Sequence, residues 1–285
     1  MTTYDLHQHL WSEPFVDALR RRTSPPRLDD DVLETSEGRF PVDLTQHDPE
    51  TRIAALDRDE IDVAVLSLQP SLGHGDLASS ECDELEQAWV EGVRSLDSPR
   101  FRAFSPSCVR DGFVGVSLGS SAFLDFDAAA PLLDEVAASG ATVFVHPEAG
   151  PAAHDARPDW WEWVVGYPAR MQEAYVAWLA FGRERWPTVR VLFAMLAGGG
   201  PFQLERLARR GVDVRSALDP NTFFDVSTHG RRAIELCVET FGVGQLVYGS
   251  DTPVVDSRPT LDAVRGFGDA VTYVLQSDTP ARLLG

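Results

Sequence analysis

His7 and His9 stand two residues apart in the apolar run Tyr4–His9, a spacing in which two imidazoles can share one metal ion. If the run is a β-strand, its period of two turns both rings to one face. Two later runs end on groups of the same kind. Ala141–His146 is an apolar stretch closed by a histidine and stopped by Pro147, and Gln245–Ser250 delivers Asp251 just before Thr252-Pro253. Read singly, each has an ordinary explanation: a solvated strand end for His7 and His9, a core histidine for His146, a turn cap for Asp251. Together they supply three nitrogens and one oxygen, the donor set of a mononuclear site with room for a water. Zn²⁺ suits it first, with Mn²⁺, Fe²⁺ or Co²⁺ as alternatives. Such an ion lowers the pKa of its water from about 15.7 to roughly 7, making hydroxide available at neutral pH.

Groups so distant in sequence meet only if the chain folds back on itself repeatedly. Short β-branched runs alternate with longer amphipathic segments, the pattern of repeated βα units. Eight strand-like runs are legible: Tyr4–His9, Val63–Gln69, Phe101–Ser107, Phe113–Leu118, Ala141–His146, Val189–Leu196, Thr222–Thr228 and Gln245–Ser250. Eight such units predict an α/β fold, a (β/α)8 barrel forming one domain over residues 1–285, with its reactive groups at the carboxyl ends of the strands. Arg20–His47 is a polar insertion after the first strand, expected as a loop or small hairpin over the opening. Trp160, Trp161, Trp163 and Trp178 are expected to form the large apolar face of a helix packed on the barrel, with a pocket wall or a dimer contact as the alternative.

The net charge of -19 argues against nucleic acid and anionic membranes as partners, which leaves a small-molecule substrate. All 25 basic residues are arginines, so a Schiff-base lysine, a P-loop lysine and a carbamylated lysine bridging two metals are excluded. No apolar run approaches membrane-spanning length, and no basic-then-apolar leader opens the chain. Cys82, Cys108 and Cys237 show no Cys-x-x-Cys spacing, as expected of buried thiols in a cytoplasmic protein.

These motifs make the chain resemble the amidohydrolase-related family, in particular the branch around aminocarboxymuconate semialdehyde decarboxylase. The resemblance runs over nearly the whole length: His7-x-His9, Val145-His146-Pro147, Trp161–Pro168, Phe193–Phe202, Gly249–Pro253 and Arg282–Gly285. It implies the same barrel, one metal ion without a lysine bridge, and a homodimer. It also implies a histidine at the end of the sixth strand that handles the proton of the metal-bound water, where this chain has Met195. A thioether is a weak acceptor with no titratable proton and cannot act as a general base. Asp251 is then expected to take that proton, with His229, Glu148 or His154 as substitutes from neighbouring loops and an impaired homologue as the remaining outcome. Arg206 matches an arginine that in the family grips the substrate carboxylate from the neighbouring subunit; a surface ion pair with Glu205 or Asp213 is the ordinary alternative. Asp43 stands near the place of a second family arginine, which argues against an identical dicarboxylate substrate. The leading expectation is a mononuclear metal-dependent hydrolase in which His7, His9, His146 and Asp251 hold the ion, Asp251 and His229 are the catalytic candidates and Arg206 contacts substrate. The alternative is non-oxidative decarboxylation of an aromatic or unsaturated acid.

Overall fold

The computed structural model describes residues 1–150, 157–158 and 160–285. The chain opens with β1 (Tyr4–Gln8) and α1 (Glu13–Arg21), followed by three short strands, β2 (Arg27–Asp29), β3 (Val32–Thr35) and β4 (Gly38–Pro41). After α2 (Pro49–Asp59) come β5 (Val63–Leu66), α3 (Ser79–Arg94), β6 (Phe101–Pro106), β7 (Gly115–Gly119), α4 (Phe126–Ser139) and β8 (Thr142–His146). Beyond α5 (Tyr167–Ala177) lie β9 (Arg190–Phe193), β10 (Thr222–Asp225) and β11 (Leu246–Val247).

Eight strands join in the order β1-β5-β6-β7-β8-β9-β10-β11, and each paired neighbour runs parallel. Strands covered on both faces must be apolar almost throughout, which is why Val63–Leu66 and Thr142–His146 are buried along their whole length. The ring closes through the chain's two ends. Leu6 donates to the Tyr248 carbonyl at 3.0 Å, and Gln8 bridges to Thr252. The expected (β/α)8 barrel is therefore the fold observed. Among the described residues, no helix is long and apolar enough to cross a membrane.

Three local expectations are corrected. The insertion is neither a loop nor a two-stranded hairpin but a three-stranded antiparallel sheet, β2-β3-β4. It begins later than Arg20, because α1 runs to Arg21 and buries Phe15, Val16, Ala18 and Leu19. The sixth barrel strand stops at Phe193 instead of Leu196. From Met195 to Gly199 the backbone turns left-handed, with φ between 45° and 85°, a conformation in which non-glycine residues are strained and which no strand can continue. Gly198 is required there, since a Cβ would sit 2.2 Å from the Pro168 carbonyl oxygen. The tryptophans also divide. Trp178 is buried and stacks on Phe123 with centroids 5.0 Å apart, whereas Trp160 and Trp163 are about half exposed.

Candidate metal centre

β1 carries His7 and, one residue past its end, His9; β8 ends on His146; Asp251 follows β11. The closure of the barrel sets Asp251 against the first strand. Its N–H donates to the His7 carbonyl at 2.8 Å, while the His9 N–H donates to the Thr252 carbonyl at 2.8 Å. A φ of 63° at Asp251 then bends the backbone and swings the carboxylate inward. Gly249 makes the approach possible, because a Cβ there would lie 2.7 Å from the Cβ of His7.

The far side of each ring decides which nitrogen faces the centre. Nδ1 of His9 bonds to the Ser67 carbonyl at 2.9 Å and Nδ1 of His146 to the Pro147 carbonyl at 2.8 Å. A carbonyl only accepts, so each Nδ1 carries the proton and each Nε2 presents a lone pair. Nδ1 of His7 donates in the same way to Oδ2 of Asp225 at 2.8 Å. The Nε2 atoms of His7 and His9 lie 3.1 Å apart, and Asp251 Oδ1 lies 3.4 Å and 3.1 Å from them. One ligand atom from each of His7, His9, His146 and Asp251 falls within 4.8 Å of all the others.

Electron-rich atoms in such contact repel unless positive charge sits among them. Donors at the usual Zn–N length of about 2.0–2.1 Å in a tetrahedron stand about 3.3 Å apart, so this set fits one small divalent ion. The electrostatics have the same sense. Burial disfavours charge on His7, but the Asp225 and Asp251 carboxylates outweigh it and raise the pKa to about 9. Burial, with His7 and His9 beside it, pushes His146 down to about 3. Burial lowers His9 too. Asp225 and Asp251 are held below the usual carboxylate range, their burial being outweighed by the His7 charge. The cluster draws in one positive charge.

Asp225 is the functional residue that sequence reading passed over. It is fully buried at the end of β10, and its second oxygen accepts from the Met195 N–H at 3.0 Å, the Ser227 N–H at 2.9 Å and the Ser227 hydroxyl at 2.5 Å. A carboxylate so placed fixes the tautomer and orientation of a ligating histidine. The signal was present: one acid in the otherwise apolar run Phe223–Val226 is a buried charge that needs a partner. Arg52 was also passed over. It is buried and donates to Gln8 Oε1 at 2.9 Å and to the His9 carbonyl at 3.1 Å, bracing the strand end that carries the ligands.

The remaining candidates are not in this cluster. His229 stands past β10, partly buried, with Nδ1 bonded to the Ser227 carbonyl at 2.8 Å. Glu148 turns toward the end of β7, where it accepts from the Ser121 N–H at 2.7 Å and the Ser121 hydroxyl at 2.8 Å, so it is no substitute base at the ligands. His154 lies outside the described residues. Arg206 is exposed on the helix Leu204–Arg209, and among the described residues it makes no ion pair with Glu205. Met195 is partly buried, and its backbone, through Asp225, is tied to the support of His7.

Beside the centre, the sheet β2-β3-β4 roofs a cavity of about 340 Å³. Its walls include Trp11, two residues past His9, and Pro253, two residues past Asp251, with Phe40, Trp163 and Tyr167 facing them. Trp163 thus packs near Phe40, at 6.0 Å between centroids, as a wall of this cavity and not on the barrel. His47 stacks on Trp11 at 4.5 Å and accepts its backbone N–H at 3.0 Å. Asp43 and Glu37 line the cavity, and among the described residues no arginine does.

No family model matches the chain. It is 28% identical to 2-amino-3-carboxymuconate-6-semialdehyde decarboxylase of Dictyostelium discoideum, over 76% of this chain and 70% of that protein. Its fold is similar to that of 5-carboxyvanillate decarboxylase from Sphingomonas paucimobilis, with a TM-score of 0.77, 18% identity, and 99% of this chain and 98% of that one covered. It is also similar to 5-carboxyvanillate decarboxylase from Novosphingobium aromaticivorans complexed with manganese, with a TM-score of 0.74, 16% identity and coverage of 99% and 96%. These relatives are decarboxylases, so the comparisons favour the second reading of the sequence over hydrolysis, the first. In sequence the chain is thus similar to an aminocarboxymuconate semialdehyde decarboxylase, and in fold to these barrels, in line with the family resemblance of its motifs.

Proposed function

We propose that the protein is a metal-dependent, non-oxidative decarboxylase of an aromatic or unsaturated carboxylic acid. In this reading His7, His9, His146 and Asp251 hold one divalent ion, which when bound supplies a Lewis acid for the substrate's carboxylate or an adjacent oxygen. Manganese in a relative of the same fold keeps Mn²⁺ beside Zn²⁺ as a candidate. The observation that carries the proposal is the convergence of three Nε2 atoms and one carboxylate oxygen, in a barrel shared with decarboxylases.

The chain's own residues do the rest. Asp225 holds His7 in the tautomer that frees Nε2, and the aromatic cavity beneath the inserted sheet offers flat walls to an unsaturated substrate. Loss of CO2 leaves an electron pair on carbon, which must take a proton. Asp251, an ionised carboxylate, is assigned to relay that proton after taking it from water, since its side chain is 17% exposed while His7 and His9 are buried. His229 is the reserve donor from the rim. Arg206, exposed beside the exposed Phe202, contacts substrate only if a second copy of the chain brings it to a neighbouring mouth.

The test is to load the protein with Zn²⁺ or Mn²⁺ and follow CO2 release from a panel of aromatic and unsaturated acids, with lactones and amides as controls. Release of CO2 from one of the acids is expected, and it falls sharply in Asp251→Asn. Hydrolysis of a lactone or amide with no CO2 from any acid overturns the proposal. A second reading, an impaired homologue, is favoured by one observation only: Met195 puts no ring nitrogen at the end of the sixth strand.

A further inference from the structure

A second recess, of about 360 Å³, shares the loop after β5 with the first cavity, Ser71 and Leu72 lining one and Pro70 and Gly73 the other. The ends of four consecutive barrel strands and the loops beyond them build it, with His74 following β5, Ser107 following β6, Ser117 on β7 and Glu148 following β8, while Glu86 reaches in from α3. It adjoins the candidate metal centre. Gly119, in its wall, pairs in register with His146, and Glu148 lies two residues past that ligand.

Two residues that line the recess each carry a buried polar atom with no partner among the described residues: Nδ1 of His74, a residue 7% exposed, and Oγ of Ser117, a residue 5% exposed. Buried polar atoms are almost always hydrogen-bonded, so such a pair marks the place of a missing partner. The carboxylates around them are pinned but not saturated. Glu86 accepts from the Ser107 hydroxyl and from Sγ of Cys82, and Glu148 from Ser121, which leaves lone pairs on both. Burial drops His74 to about 4, so its imidazole is neutral at pH 7 and offers a lone pair of its own. Among the described residues no arginine lines the recess, and the chain has no lysine. None of the described lining residues carries a fixed positive charge for a second acid group on a substrate.

We propose that this recess is a subsite for a protonated amino group of the substrate, with Glu86 and Glu148 accepting its hydrogens and His74 and Ser117 completing the cage. The proposal rests on the decarboxylase reading for the placement of the substrate's acid group at the ligands. An apolar substituent would leave the unpartnered atoms buried and dry, and a carboxylate would meet two like charges. A hydroxyl has a single hydrogen for several acceptors.

The test is calorimetric titration of the manganese-loaded protein with a matched series: meta-(aminomethyl)benzoate, meta-(hydroxymethyl)benzoate, meta-methylbenzoate and benzene-1,3-dicarboxylate. The aminomethyl compound is expected to bind about tenfold more tightly than the methyl compound, with the dicarboxylate weakest. In Glu86→Gln and in Ser117→Ala that preference shrinks to within about threefold while meta-methylbenzoate binds as before. Equal affinity for the aminomethyl and methyl compounds, equal or tighter binding of the hydroxymethyl compound, or a preference that survives both substitutions overturns the subsite. Benzylamine, titrated into the metal-free protein, separates this proposal from the one it rests on. Benzylamine binding that Glu86→Gln abolishes supports the subsite even if no acid releases CO2. Absence of benzylamine binding beside CO2 release from unsubstituted acids removes the subsite and leaves the decarboxylase standing.

Discussion

The corner of the barrel mouth where side chains from the first, fifth and eighth strands converge differs sharply from the end of the sixth. At the corner, each histidine has its outer nitrogen bonded to an acceptor and its inner nitrogen aimed at a common point. At the end of β9, where the family resemblance leads one to expect an imidazole, the chain offers Met195 on a left-handed turn, and its recorded bond to the site is a backbone N–H to Asp225. The donor set that could hold a cation is complete, whereas the histidine that the resemblance leads one to expect for moving a proton is missing. Binding and proton transfer are therefore separable here, and substitutions can address them one at a time.

The largest effect is expected at the corner. His7→Ala with His9→Ala removes half of the donor set, so metal affinity measured by chelator competition should fall by well over the 10–100-fold that a lost supporting contact costs. Full affinity in the double variant would dissolve the contrast altogether. Next is Met195→His, which addresses only the other side. Histidine is among the residues that tolerate positive φ, and a general acid or base in the right place contributes about 10²–10⁴-fold. CO2 release should rise at least tenfold, with metal content unchanged. An unchanged rate would mean that proton transfer already runs through Asp251 or His229.

Asp225→Asn sharpens the comparison, because Asp225 touches both regions. An amide facing Nδ1 of His7 forces the proton onto Nε2, and metal affinity should drop about 10–100-fold with little loss of melting temperature. The smallest effect sets the clustered histidines against two solitary ones. Burial holds His47 near 3 and His74 near 4 in the folded protein, against an ordinary value of 6.5. The unfolded chain therefore takes up protons that the native one refuses. Stability is complete above pH 6.5 and declines as pH falls toward 4, by about 1.4 kcal/mol per unit for each such histidine. Urea midpoints at several pH values check this, and His74→Leu should make the acid limb shallower.

Much of the site could be read in advance because ligands of this kind advertise themselves at strand ends. His7 and His9 carry a two-residue period, His146 is fenced by Pro147, and Asp251 precedes a turn. Asp225 could not be assigned a task, although it stood in plain view, because its importance lies in a contact with His7 across 218 positions of chain. Met195 was legible as a departure, but the left-handed run that follows it was not, since Leu196 and Ala197 have no local preference for positive φ. The inserted sheet was hidden for a related reason: three- and four-residue strands carry too short a pattern to register.

Composition and periodicity alone determined that this chain closes into a barrel and that no lysine can do electrophilic work in it, because both follow from which residue types recur and which are missing. Tertiary structure alone decided which nitrogen of each histidine faces the centre, which carboxylate enforces that choice, and what covers the mouth. Those outcomes depend on hydrogen bonds between distant strands, and such bonds acquire partners only when the ring of strands has closed.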